Sequence, residues 1–398
     1  MNTAIELAAV EAYAYRAPLR EPIKVAFGSF RDRPFVLVRV VDRDGTEGWG
    51  ECWCNWPSVG AEHRARLVVD FGEGLVGRSF PSPTALFETL SRQLEVLVLQ
   101  TGEVGPIAQA LAGIDIAVWD MVARRADAPL CRVLSNSSAS DVAVYVTGIN
   151  PDEPERFALA RQEEGHRAFK LKTGFGAERD QRNLAAMRDA LGPSARIMTD
   201  ANQAFGCEEA LAFVRRAAPL DIAWLEEPMR VDAPEHDWRT LASASPIPLA
   251  GGENLRGADL HAAARGEILR FIQPDITKWG GFSGNLPVAR SAVAHGKDLC
   301  PHVFGGGVAL LAGLHLLAAV DGKGMLEVDC HANAGREMIV GDRLRVREGR
   351  VAAPDMPGLG AVPDRDALAR HQTWPVRRDR LAGRGSVAGL SVSPDMFS

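Results

Sequence analysis

The sequence predicts an α/β fold, a parallel (β/α) barrel preceded by a smaller α+β unit, and two observations carry that prediction. From Asp141 onward, short runs rich in β-branched residues alternate with amphipathic stretches, giving eight strand candidates separated by helical ones. Most of these strands finish on, or just before, a polar or ionisable residue, and those residues recur at separations of 22 to 28, close to one βα unit each. In a barrel that register gathers them at the C-terminal rim of the strands, where such folds carry out chemistry.

The first 135 residues read differently. Phe35 to Val41 is rich in β-branched residues, and Asp44-Gly45 separates it from a second run, Thr46 to Cys52, which is a hairpin signal. From Pro106 to about Arg125, Ile107, Leu111, Ile114, Val118, Met121 and Val122 recur at helical spacing, with Pro near the start, where a helix tolerates it. Residues 1–135 are therefore an α+β unit, and the Ser/Asn-rich joint Ser135 to Ser140 separates it from the barrel. The barrel, residues 141–330, has its strands at Asp141–Val146, Ala168–Lys172, Arg196–Asp200, Ile222–Glu226, Ile247–Ala250, Leu269–Ile272, Asp298–Cys300 and Met325–Glu327. In the final segment, 331–398, Arg343 to Val351 shows strand-like alternation, Pro354 to Gly360 is turn-rich, and the stretch from about Val376 reads as a loose tail rich in Arg, Gly and Ser.

A chain of 398 residues with 46% hydrophobic content can bury one large core and a smaller one. The formal net charge is −6 and the Lys and Arg residues are scattered, so the basic footprint of a nucleic-acid binder is missing and small molecules are the expected partners. The six cysteines lack both the dense spacing of a disulfide framework and the paired CxxC of a zinc site, so reduced, packed thiols are expected. Met1 to Arg20 lacks the basic and apolar regions of a signal peptide, and no apolar run approaches the ~20 residues that span a bilayer. A soluble cytoplasmic protein, without a membrane partner, is the expectation.

The strand-end residues are Lys172, Asp200, Glu226, Glu253, Asp275, His302 and Glu327. Asp200, Glu226 and Glu253 are three carboxylates on consecutive strands. Like charges brought together cannot all stay ionised unless a cation joins them, and an all-oxygen set suits Mg²⁺ better than Zn²⁺. Each alone would be an ordinary solvated strand end; the regular trio points to a metal. Lys170 and Lys172, two apart on a strand, face the same way, and crowding two ammonium groups near a divalent ion is expected to lower a Lys pKa and make a base. His302 and Asp275 end adjacent strands, where the carboxylate can orient the imidazole as a second acid/base group. Glu327 could donate to substrate oxygens if its pKa is raised, or form a structural ion pair.

Lys170-Leu171-Lys172, Asp200-Ala201-Asn202-Gln203, Trp224-Leu225-Glu226-Glu227-Pro228, Gly252-Glu253-Asn254 and Gln273-Pro274-Asp275 through Gly280-Gly281 resemble the enolase superfamily. With Pro301-His302 and Leu326-Glu327 they are similar to its mandelate racemase subgroup, and Gly48-Trp49-Gly50-Glu51, Ile116 to Asp120 and Pro357 to Gly360 resemble that family's cap. The resemblance implies a modified (β/α)7β TIM-type barrel, with an α+β capping domain built from the N-terminal region and the C-terminal segment. It implies Mg²⁺ on Asp200, Glu226 and Glu253, Lys172 as one base with Lys170 assisting, and His302 with Asp275 on the opposite face. Glu327 would hydrogen-bond the substrate carboxylate, and Asn202 would touch a substrate hydroxyl. The implied activity is abstraction of the proton α to a carboxylate, with dehydration of an acid sugar to a 2-keto-3-deoxy acid as the first expectation. Racemisation of an α-hydroxy acid is the alternative, and a non-catalytic sugar-acid or metal-binding barrel the reading from a different class. The resemblance also suggests a symmetric homo-oligomer. Substrate choice is expected in the cap loops Lys24 to Arg31 and Cys52 to Val59, where Phe27, Trp53 and Trp56 either line a pocket or pack the cap onto the barrel. Lys24, Arg31 or Arg33 could pair with a distal carboxylate, or be surface charge.

Overall fold

The computed structural model describes residues 4–57, 59–321 and 324–376. The Arg-, Gly- and Ser-rich stretch beyond Val376 lies outside the described residues. The chain opens with a β-meander, β1 (Ile5–Val25), β2 (Gly28–Asp42) and β3 (Glu47–Cys52), paired antiparallel, β2 with β3 as the hairpin signal predicts. There follow α1 (Gly60–Glu73), β4 (Ser79–Phe80), α2 (Pro83–Thr101), α3 (Val104–Arg125) and the short α4 (Leu130–Leu134). Helix α2 has both end signals: the Ser82 hydroxyl accepts from the Ala85 amide at 3.1 Å with Pro83 next in line, and Gly102 ends it at φ 69°. Helix α3 packs on β3 so closely that a Cβ at Gly48 or Gly50 would lie 2.0 Å from the carbonyl oxygen of Ala117 or Gly113, and only glycine fits. By length and apolar composition α3 could cross a membrane, but 78% of its apolar window is buried within the fold, as a core helix is.

The barrel strands are β5 (Asp141–Ile149), β6 (Ala168–Lys172), β7 (Arg196–Asp200), β8 (Ile222–Glu226), β9 (Leu249–Gly251), β10 (Phe271–Ile272), β11 (Asp298–Leu299) and β12 (Met325–Asp329). Seven helices alternate with them: α5 (Pro154–Glu163), α6 (Ala177–Leu191), α7 (Cys207–Ala217), α8 (Glu235–Ala244), α9 (Gly257–Arg265), α10 (Gly281–Ala294) and α11 (Gly307–Ala319). The strands pair in parallel in the order β11-β10-β9-β8-β7-β6-β5-β12. A parallel bridge between Leu299 and Gly324 joins the two ends, where a Cβ at Gly324 would sit 1.8 Å from the Leu299 carbonyl oxygen. After β12 no further helix packs as an eighth barrel βα unit among the described residues, since the short α12 (Ala334–Val340) leads into the C-terminal segment, so the architecture is a (β/α)7β barrel.

The C-terminal segment departs in one place from the sequence expectation. Arg343 to Val351 is not a strand: Arg347 and Arg350 bridge each other across Glu348 and Gly349, both at positive φ (46° and 72°), and this tight reversal breaks the alternation. Only β13 (Arg350–Ala352) is extended, antiparallel to β5. After α13 (Arg365–Leu368), β14 (Gln372–Val376) pairs antiparallel with β1 and completes the cap sheet in the order β14-β1-β2-β3.

Asp120 ties these parts together. Its carboxylate accepts from the Trp49 amide at 2.8 Å, the Leu359 amide at 2.6 Å and Arg124 Nε at 2.8 Å, joining β3, α3 and the Pro357–Gly360 turn. Inside the barrel, Ala168, Met198, Trp224 and Met325 are buried together with Tyr145, Phe271 and Cys300. Side chains two residues apart on a strand share a face. The next inward positions above this apolar layer are therefore Lys170, Asp200, Glu226 and Glu327.

Candidate active site

The barrel brings all nine sequence-predicted residues to one mouth. Lys170 and Lys172 lie within β6, Asp200 and Glu226 are the last residues of β7 and β8, and Glu327 lies within β12. Lys172 is the lateral partner of Asp200, and Asp200 of Glu226. Glu253 stands two residues beyond β9, carried inward by Gly252 at φ 138°, while Asp275 and His302 each follow their strand by three residues. The Glu253 to Asp275 interval is the shortest of the series because the ends of β9 and β10, Gly251 and Ile272, are themselves the closest pair of strand ends in the chain order.

Each of the three carboxylates expected to bind metal meets a different protonatable group. Lys172 Nζ is 2.5 Å from Asp200 Oδ2, Lys170 Nζ is 2.5 Å from Glu226 Oε1, and His302 Nε2 is 2.6 Å from Glu253 Oε2. Lys170 also reaches Glu327 Oε1 at 2.8 Å, and the Val303 amide donates to Glu327 Oε2 at 2.8 Å. His302 Nδ1 lies 2.8 Å from Asp275 Oδ2, and the other Asp275 oxygen accepts from the Thr277 amide and hydroxyl at 2.8 and 2.6 Å. That fixes the carboxylate and, through it, the imidazole ring. Asn202, held at φ 43°, donates its amide to Asp200 Oδ1 at 2.8 Å, and its own Oδ1 is buried without a partner beside the carboxylates.

Burial and charge pull against each other throughout. Burial drags the Lys170 ammonium down, but Glu226 and Glu327 outweigh it and hold the pKa well above the usual range. β6 points both lysines the same way, and each is embedded in carboxylates. Burial raises Asp200, and Lys172 and Lys170 overcome it to hold the group low; Glu253 is likewise held well below the usual range by His302 and Lys278 against burial. For Glu226 burial prevails over Lys170 and the pKa stands at about 7. Burial would lower His302, but Glu253 and Glu327 lift it well above its ordinary value. Glu327 is held low by Lys170 and His302 against burial, the reverse of the raised pKa that hydrogen-bond donation needs.

The donor set fits a hard divalent cation. Asp200, Glu226 and Glu253 present only oxygens from consecutive strand ends, and the orphaned Asn202 Oδ1 adds another oxygen beside them. Sequence reasoning missed the next layer. Lys278 Nζ lies 2.9 Å from Asn254 Oδ1 and 3.4 Å from Glu253, and Asn254 Nδ2 donates to both oxygens of buried Glu227, at 3.0 and 2.8 Å. Burial pushes Glu227 well up, and its backbone sits at φ 38°. The Glu226-Glu227 doublet was its one visible signal, since adjacent strand-end residues cannot both face the mouth. Trp224 Nε1 and Gln273 Nε2 donate to Glu226 Oε2.

Over the carboxylates lies a cavity of about 320 Å³, walled on the barrel side by Lys172, Asn202, Glu253 and His302 and on the cap side by Phe27, Phe30, Trp53 and Trp56. Of the cap-loop expectations, the aromatic residues therefore line the cavity. The Phe30 and Trp56 rings are 4.6 Å apart, and Phe27 is 65% exposed at the tip of the β1–β2 turn. Lys24 and Arg33 do not line it. Lys24 pairs with Asp152 at the surface, and Arg33 is buried against Asp329 with its guanidinium 3.9 Å over the Phe304 ring. Arg31 is exposed outside the cavity.

Two family models match: the mandelate racemase/muconate lactonizing enzyme N-terminal domain over residues 8–135, and the enolase C-terminal domain-like model over residues 154–367. Among relatives, the D-galactarolactone cycloisomerase of Agrobacterium fabrum is 33% identical over 92% of this chain and 98% of its own. The arabinonate dehydratase of Saccharolobus solfataricus is 30% identical over 82% of this chain and 87% of its own. A mandelate racemase/muconate lactonizing enzyme structure from Bordetella bronchiseptica superposes with a TM-score of 0.87 at 45% identity, over 92% of this chain and 99% of that one. A Bradyrhizobium enolase structure complexed with magnesium and mandelic acid has a TM-score of 0.82 at 30% identity, over 94% of this chain and 100% of that one. With the barrel, the cap and the strand-end residues in place, these matches establish that the chain belongs to the enolase superfamily, within its mandelate racemase subgroup.

Proposed function

We propose that this chain is a Mg²⁺-dependent enzyme that removes the proton α to a substrate carboxylate and dehydrates an acid sugar to a 2-keto-3-deoxy acid. One observation carries the reading: three carboxylates on consecutive strands each meet a different protonatable group, so a cation site and two proton-transfer groups share one space. Asp200, Glu226 and Glu253 would hold the ion, which when bound supplies a Lewis acid that stabilises charge developing on the substrate carboxylate. Lys172 takes the α-proton from one side. The bond between the β-carbon and its hydroxyl breaks, and His302 Nε2, oriented through Nδ1 by Asp275, gives its proton to the departing oxygen. Water leaves, and the resulting enol becomes the 2-keto acid. Lys170 stays cationic beside Glu226 and Glu327 and supplies positive charge where the carboxylate sits. Glu327 becomes a donor to that carboxylate only by taking a proton from Lys170 or His302, 2.8 and 4.0 Å away. Asn202 Oδ1 is open to a substrate hydroxyl.

Likeness to a D-galactarolactone cycloisomerase favours a second leaving group, since the same α-proton removal serves a lactone when the departing oxygen belongs to the ring. The test is a panel of acid sugars, their lactones and α-hydroxy acids in D₂O with Mg²⁺, followed by α-deuterium and by semicarbazone absorbance for keto acids. Deuterium uptake that a chelator stops and Mg²⁺ restores, with keto acid formed, is expected. Loss of optical rotation from a hydroxy acid without keto acid would replace dehydration by racemisation. Absence of exchange across the panel would leave a binding barrel.

A further inference from the structure

The lining of the catalytic cavity carries a charge that the proposed chemistry does not use. Arg256 lines the cavity just past Glu253, at the residue before α9. The other lining cations are committed: Lys172 to Asp200, His302 to Asp275 and Glu253, and Lys278 to Glu253 and Asn254. Among the described residues the Arg256 guanidinium has no hydrogen bond or ion pair. The lining contains one carboxylate, Glu253, which is taken by His302 and Lys278, so none of the lining carboxylates pairs with Arg256. Two lining amides are also half used: the Gln109 oxygen accepts from Arg64 at 2.8 Å and the Gln203 oxygen from the Val231 amide at 2.9 Å, which leaves both NH₂ groups as donors. A wall offering one unpaired cation and two free amide donors matches an oxygen-rich, anionic end. It does not match the phenyl ring of an aryl hydroxy acid, whose burial there would leave those donors without partners.

Resting on the function proposed above, we infer that Arg256 makes this site selective for substrates with a second carboxylate at the end remote from the reacting carbon, that is, for sugar diacids or lactones keeping one free carboxylate, over sugar monoacids. Carboxylate recognition by a guanidinium is charge-assisted and directional, whereas the aromatic cap wall reads only the C–H face of the sugar. Arg256 is thus a specificity-determining residue, and not one that moves a proton.

The test compares galactarate and glucarate with galactonate and gluconate, matched in length, on the full chain and on Arg256→Met with Mg²⁺ present, by calorimetric binding and by α-deuterium exchange. Tighter binding of the diacids is expected, with the substitution weakening them about tenfold and the monoacids less than about twofold. The diacid kcat should hold within about threefold while KM rises. Arg256→Lys should restore part of the preference, separating charge from an altered fold. Equal binding of both acid classes, or an equal loss for both in Arg256→Met, overturns the inference. Diacid-selective binding lost in Arg256→Met, without exchange in any acid, would uphold the subsite and defeat the chemical reading instead.

Discussion

At the scale of single residues, the division of labour between Lys172 and His302 is the sharpest consequence of the geometry. They reach the shared space from β6 and from beyond β11, each through its own carboxylate. Lys172→Met and His302→Asn should each lower kcat by about 10² to 10⁴, and single-face deuterium exchange should survive in one variant for the substrate epimer served by the remaining group. Full turnover in either variant would end the two-base reading. A second residue-scale prediction lies away from the mouth. Asp115, fully buried on α3, accepts from the Ser283 amide at 3.0 Å, its other oxygen lacks a partner, and burial pushes its pKa up to about 7. The folded state therefore holds this proton more tightly than the unfolded one, so stability rises as pH falls from about 7 toward 4 and is lower once Asp115 must ionise. Asp115→Asn should gain on the parent at pH 8 to 9, by up to about 4 kcal/mol, and the difference should shrink toward pH 4. Thermal unfolding midpoints across that range check it, and a pH-independent difference would refute it. The strand-end acids and bases were legible because their interval repeats. Asn254, Lys278 and Arg256 were not, because they lie in loops whose path no periodicity sets.

At the scale of elements, the segment between β11 and α11 carries both His302 and the cavity wall Phe304, and the cap holds it. Glu51, the next-to-last residue of β3, accepts from the Gly306 amide and, at 2.9 Å, from the Ala309 amide at the start of α11. Asn55 Nδ2 donates to the Phe304 carbonyl at 3.1 Å, and Asn333 Nδ2 to that of Gly305 at 2.8 Å. Gly305 and Gly306 leave no room for a Cβ beside the Glu51 carboxylate, with approaches of 2.7 and 3.0 Å. Docking of the cap therefore sets where His302 stands. Glu51→Gln keeps the shape but only one acceptor, and should lower kcat about tenfold through the His302 face while sparing exchange on the Lys172 face. Equal loss on both faces would make Glu51 merely structural. The strands β6, β7 and β8 were readable to the residue from β-branched runs ending in charge. Arg343 to Val351 misled because a tight reversal around Glu348-Gly349, with Glu348 exposed and Gly349 buried against Gly165, can mimic strand alternation.

At the scale of the whole molecule, the strand period pointed to a parallel (β/α) barrel, and its (β/α)7β form with a cap is the one the family resemblance implied. The sequence could not reveal how the units meet, because the contacts that join them, Asp120 to Leu359 and Glu51 to Ala309, link residues 239 and 258 apart in the chain. The strand β14 extends this further. It lies beside β1, with Trp374 opposite Ala14, so a ribosome has released the entire barrel before the roof over it can be finished. Such long-range closure is slow, since loop entropy is spent before the contact rewards it. Ending the chain before Gln372 should leave the barrel's far-ultraviolet dichroism nearly intact but expose the cap to protease first, as followed by the cleavage sites in β1 and α1. The cap sheet therefore gains its last edge strand only after every barrel strand has been made.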